Sequence, residues 1–165
     1  MKKWFFTVII CAVAASGFTV QQAFAAPPQQ TIVANCRNAQ VVLGQLEKAD
    51  AVQRINRGRL YNNVLNLLFA MNARLSVNRI LATDLTDITQ NFSTGFANFR
   101  NDYDKYDDSL NDLINADCVA QPDDFYNQLN NVRADRAKLA SDVANLDNLI
   151  NNYKTGLTNA TKGAE

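Results

Sequence analysis

The chain has 165 residues, 47% of them apolar, with sixteen basic side chains, sixteen acidic ones and no histidine. Charge balance argues against nucleic-acid binding, which needs a basic excess. The missing imidazole excludes Ser-His-Asp and Cys-His triads and the usual zinc sites, and no glycine-rich phosphate loop occurs.

The start reads as a secretory signal peptide, residues 1–25. Met1-Lys2-Lys3 is cationic, Trp4 to Ala15 is apolar, and Ala23-Phe24-Ala25 supplies small residues at the −3 and −1 positions of a cleavage site. A retained membrane anchor is the alternative, but the apolar run falls short of the ~20 residues a span needs. Cys11 leaves with this segment. Export places the remainder in the periplasm, at the cell envelope or outside the cell, with no membrane span left after cleavage.

The mature chain then holds two cysteines, Cys36 and Cys118. In an oxidising compartment an even pair reads as a disulfide, in preference to two free thiols. With both thiols bridged, neither a cysteine nucleophile nor a redox pair remains. No enzyme activity and no cofactor is expected.

Proline is absent between Pro28 and Pro122 and glycine is sparse, so the chain reads as helical. The first helix is expected over 36–75, with apolar residues at Val41, Val42, Leu43, Leu46, Val52, Ile55, Leu60, Val64, Leu67, Leu68 and Leu75. A polar patch holding Arg54, Arg57, Gly58 and Arg59 interrupts it, and a bend near Gly58 is expected. Val41-Val42-Leu43 and Leu67-Leu68-Phe69 offer more apolar surface than one packing seam needs. The three arginines form a candidate interaction patch for an anionic partner.

The second helix is expected over 82–116, starting at Thr83-Asp84 after a turn at Ser76-Val77-Asn78. Phe92, Phe96, Phe99, Tyr103, Tyr106, Leu110 and Leu113 recur at alternating spacings of four and three, the seam of a bundled helix. This aromatic stripe reads as core in preference to a ligand-stacking platform. The aspartates between, Asp102 and Asp104 among them, read as a solvated face. A calcium loop fails because Asp107 stands where glycine is required.

The third helix is expected over 122–155. Gln121-Pro122-Asp123-Asp124 puts proline in the first turn and carboxylates at the positive end of the dipole. Its seam runs Phe125, Leu129, Val132, Arg136, Leu139, Val143, Leu146, Ile150, Tyr153, Leu157, and only Arg136 is not apolar. Gly156 is expected as a left-handed cap, followed by a disordered tail, 158–165. The helical bundle domain is thus 26–157.

The disulfide dictates the topology. A straight helix would part Cys36 from Cys118 by ~120 Å, whereas bridged Cα atoms lie ~5.5 Å apart. The chain must double back near residue 77 and again at Asp117 to Gln121, giving an antiparallel up-down-up three-helix bundle with coiled-coil-like seams. Arg37 to Arg79 holds seven basic and two acidic residues, while Asp84 to Asp124 holds ten acidic and two basic. Pairing of these helices would set Arg37 near Asp117 and Lys48 near Asp107 or Asp108. The second turn sets Arg136 beside Tyr103, so an Arg136 pair with Asp102 or Asp104 over that ring is expected to fix register. An anion-binding Arg136 in a cleft is the alternative.

The chemistry left is binding. The chain reads as an exported, non-catalytic structural or protein-interaction module at the cell envelope, its partner another protein or an envelope component. The alternative is a periplasmic chaperone-like or envelope-ligand-binding protein that uses the basic first helix.

Overall fold

Proline opens two of the three helices, and the apolar period decides what each one buries. The computed structural model describes residues 28–162; the expected signal peptide lies outside those residues. Helix α1 spans Gln29–Val77, α2 Thr83–Asn115 and α3 Pro122–Lys162. The fold is an all-α antiparallel three-helix bundle closed by the Cys36–Cys118 disulfide, whose Cα atoms are 5.6 Å apart. No helix among the described residues is long and apolar enough to cross a membrane.

The seam of α2 is buried at every expected position, from Phe92 to Leu113, and burial continues back through Thr89 to Leu85. Helix α2 is the shared partner: α1 and α3 each pack on it far more extensively than on each other. Tyr61 of α1 stands edge-on to Phe92, Phe96 and Phe99, with ring centroids 5.6 to 6.1 Å away. That edge-to-face geometry is the one the ring quadrupoles favour. On α3 the buried positions are Phe125, Val132, Leu139, Leu146 and Tyr153, and the other apolar seam residues are partly buried.

The register expected for α2 and α3 is present. Lys138 Nζ lies 3.0 Å from Asp102 Oδ2, and Lys105 Nζ lies 2.6 Å from Asp135 Oδ1. The turn between these helices is an Asx-turn, in which Asp117 Oδ1 accepts the N–H groups of Val119 and Ala120 at 3.1 and 2.9 Å.

Several boundaries differ from the sequence reading. Helix α1 begins at Gln29, because Pro28 closes its start and Ile32 is buried, and it continues unbroken through Gly58. It ends in a Schellman motif: Arg79 takes φ 59°, Arg79 N–H donates to Ser76 O, and Ile80 N–H donates to Leu75 O, both at 3.0 Å. Gly156 is not a left-handed cap, and α3 continues to Lys162 where a disordered tail was expected. Gly156 is small for a packing reason instead. A Cβ there would sit 2.7 Å from Leu85 Cδ2, so the glycine admits the first turn of α2 against α3.

Candidate functional site

Polar residues interrupt α1 where its seam should be apolar. Ile32, Cys36, Leu43, Tyr61, Leu68 and Leu75 are buried toward the core. Between Leu43 and Tyr61, the turns that face the bundle carry Asp50, Arg54 and Arg57. Their partners are specific. Tyr106 of α2 donates its hydroxyl to Asp50 Oδ2 at 2.7 Å, and Arg136 of α3 donates Nε and a terminal nitrogen to the same carboxylate at 3.2 and 3.3 Å. One side chain from each helix therefore meets at Asp50.

This corrects the expected role of Arg136. Its carboxylate is Asp50 of α1, whereas Asp102 pairs with Lys138 and Asp104 with Arg54. The cation over the Tyr103 ring is Arg54, whose Cζ lies 4.9 Å from the centroid. Arg54 also approaches Asp107 at 4.0 Å, so charge complementarity of α1 and α2 is realised here. The pairs expected of Arg37 with Asp117 and of Lys48 with Asp107 or Asp108 are not among the ion pairs of the described residues.

The candidate arginine patch is divided. Arg54 and Arg57 turn toward the bundle, and Arg57 donates to the Tyr61 hydroxyl at 3.1 Å. Arg59 lines a separate groove between α1 and α2, above Phe96 and Phe99. With Arg133 and Arg136 of α3, Arg54 and Arg57 wall a cleft of about 620 Å³ between α1 and α3. Its floor is Phe99, Tyr103 and Tyr106, and Ala137 and Ala140 keep the α3 side shallow. Four charged, branched heads cannot interdigitate like leucines, which keeps α1 and α3 apart in this stretch.

The floor hydroxyls stay protonated at neutral pH. Burial, with the carboxylates of Asp107 and Asp50 nearby, pushes Tyr103 up to about 12, and burial with the Asp50 hydrogen bond raises Tyr106 as well. The Tyr103 hydroxyl is closed to solvent and has no hydrogen-bond partner. On the exposed side of the bundle, the hydrogen bond from Lys138 holds Asp102 below the usual carboxylate range.

A second feature lies on the opposite side of α1. Among the described residues, the exposed large apolar side chains are Val33, Val41, Val42, Val52, Ile55, Leu60, Leu67, Phe69 and Val77 of α1, with Leu81 and Val119 in the two turns. Helices α2 and α3 contribute none. Of the two triplets singled out in the sequence, Leu43 and Leu68 enter the core while Val41, Val42, Leu67 and Phe69 remain outside. At ~100° per residue, Val41, Val52 and Val77 line up within ~20°, directly opposite the buried face. Val42, Leu60 and Leu67 form a second stripe ~80° away.

No family model matches this chain, and neither curated proteins nor solved structures contain a match to it.

Proposed function

We propose that this is an exported, non-catalytic helical module of the cell envelope that binds another protein along the open face of α1. The observation that supports the reading is the distribution of exposed apolar surface. Helices α2 and α3 keep large apolar residues off the surface, and α1 alone carries nine of them. Concentrated apolar surface of this kind marks an interaction face. Apart from the ion-paired Arg54, the exposed charged residues of α1 are Arg37, Lys48, Arg59 and Arg74, all basic. The matching partner surface is therefore apolar and acidic. The export reading draws on the signal-like first 25 residues and on the persistence of a disulfide in an oxidising compartment.

A photo-cross-linking residue placed at Val52 in the native host should capture one partner that the same residue at Asn148 of α3 does not. With that partner purified, changing Val52, Leu60 and Leu67 together to glutamate should weaken binding at least a hundredfold while helicity is kept. Equal capture from both helices, or binding that survives the charge change, would refute the reading. A chaperone-like role would instead yield many weakly held clients at the same face.

A further inference from the structure

The cleft on the other side of α1 has a chemistry that the partner reading does not use. Four arginines and one carboxylate, Asp50, surround an aromatic floor. Asp50 is already engaged by Arg136 and Tyr106, and Arg54 by Asp104. Arg57 and Arg133 are different: their hydrogen bonds go only to neutral groups, the Tyr61 hydroxyl and Asn130 Oδ1 at 3.2 Å. Neither forms an ion pair with a carboxylate of the described residues. They stand on opposite walls, one on α1 and one on α3. A guanidinium has five N–H donors in a planar fork suited to carboxylate and phosphate oxygens, and these two have most of theirs unused.

The floor beneath them is aromatic and closely packed, with Tyr103 5% and Phe99 3% exposed. The volume, about 620 Å³, is that of a small-molecule site. An inorganic anion would fill only a fraction of it and leave the apolar part of the lining, with Leu139, Ala140 and Val143, unoccupied. A neutral hydrocarbon would leave the arginines unanswered.

We infer that the cleft binds a small amphipathic anion, with its carboxylate or phosphate held between Arg57 and Arg133 and its apolar body laid on Phe99, Tyr103 and Tyr106. The site belongs to the core-facing side of α1, so it stands or falls independently of protein binding at the open face. The anion can be free in solution or carried by a lipid, and the experiment separates the two.

Calorimetry on the disulfide-bonded protein should detect 2-naphthyl phosphate, with 2-naphthol and inorganic phosphate each at least tenfold weaker. Arg133→Gln, whose only lost hydrogen bond is to Asn130, should weaken the aryl phosphate about tenfold, and Arg57→Gln by as much, with thermal melts confirming that both variants fold. If the anion is lipid-borne, vesicles of phosphatidylglycerol, and not of phosphatidylcholine, should co-sediment with the protein and lose it on Arg133→Gln. Three results overturn the inference: neither probe binds, 2-naphthol binds as well as its phosphate, or Arg133→Gln leaves binding unchanged.

Discussion

Tyr153 of α3 donates its hydroxyl hydrogen to Asn72 Oδ1 of α1 at 2.7 Å, while Asn72 Nδ2 donates to Thr89 Oγ1 of α2 at 2.8 Å. Like the group around Asp50, this is a polar triad with one member from each helix. The two triads lie ~33 Å apart along α1. Each is satisfied only when all three helices are in one register, which apolar seams of similar residues specify less sharply.

Asn72 should be the costlier member to lose. Asn72→Ala removes the bonds to both Tyr153 and Thr89, leaving Tyr153 only its 3.4 Å approach to Leu68 O and Thr89 its bond to Leu85 O, and should lower stability by ~2 kcal/mol. Tyr153→Phe removes the Asn72 bond and the longer approach to Leu68 O and should cost ~1 kcal/mol. Chemical denaturation of both single variants and the double variant would measure this. Additive losses would mean that the two side chains are not coupled.

Two glycines should respond oppositely to alanine. At Gly58 an added Cβ meets nothing within 4 Å in an uninterrupted helix, so Gly58→Ala should stabilise by ~0.5–1 kcal/mol. At Gly156 the Cβ would meet Leu85, which is fully buried and has no room to retreat. Gly156→Ala should destabilise by ~1–3 kcal/mol despite the better helix propensity. Melting midpoints of the two variants should move to opposite sides of the wild type.

The buried tyrosines predict alkaline sensitivity. Burial raises Tyr61, Tyr103, Tyr106 and Tyr153 above their ordinary value near 10. The folded protein therefore holds these protons more tightly than the unfolded chain does. Their contribution to stability is complete below pH ~10 and declines as pH rises from there toward 12. Melts at pH 8 and pH 11 should differ steeply, and Tyr103→Phe should flatten that difference. At pH 8 the same variant should be neutral or slightly stabilising, since the hydroxyl has no partner to lose.

Reducing the disulfide should loosen the bundle without melting its helices. The bridge spans 82 residues, which corresponds to ~4.5 kcal/mol in the chain-entropy account. Circular dichroism should keep its helical signal at 20 °C after reduction, while the unfolding midpoint falls. An unchanged midpoint would mean that helix packing alone holds the ends of α1 and α2 together.

Much of this was legible in the sequence because it is local or forced by a short turn. The Phe92–Leu113 stripe has one period and one face, and the turn at Asp117 fixes α2 against α3 closely enough to bring Asp102 to Lys138. Less legible was anything that depends on how α1 lies against α3, which no short turn connects. Arg136 was assigned to aspartates on α2, the helix the turn places beside it, while its partner Asp50 stands on the helix with no local tie. The left-handed residue ending α1 is Arg79, where glycine is the usual signal. Gly156, a residue that advertises a cap, is instead the notch that receives Leu85. The polar patch from Arg54 to Arg59 looked like a weak stretch of one helix, and only the juxtaposition of Asp50, Arg133, Arg136 and the α2 tyrosines makes it part of a cleft.

The central position of α2 also sets a timetable for the growing chain. Helix α1 is made first, yet its main packing partner is complete only at Asn115, and Cys36 cannot meet Cys118 until 82 further residues have been added. At ~5–20 residues per second this is an interval of roughly 4–16 s. Until α2 has grown back along it, the helix richest in outward-facing valine and leucine has no neighbour from its own chain over its N-terminal half. The α2–α3 hairpin, made last and joined by a six-residue connection, can close almost as it emerges.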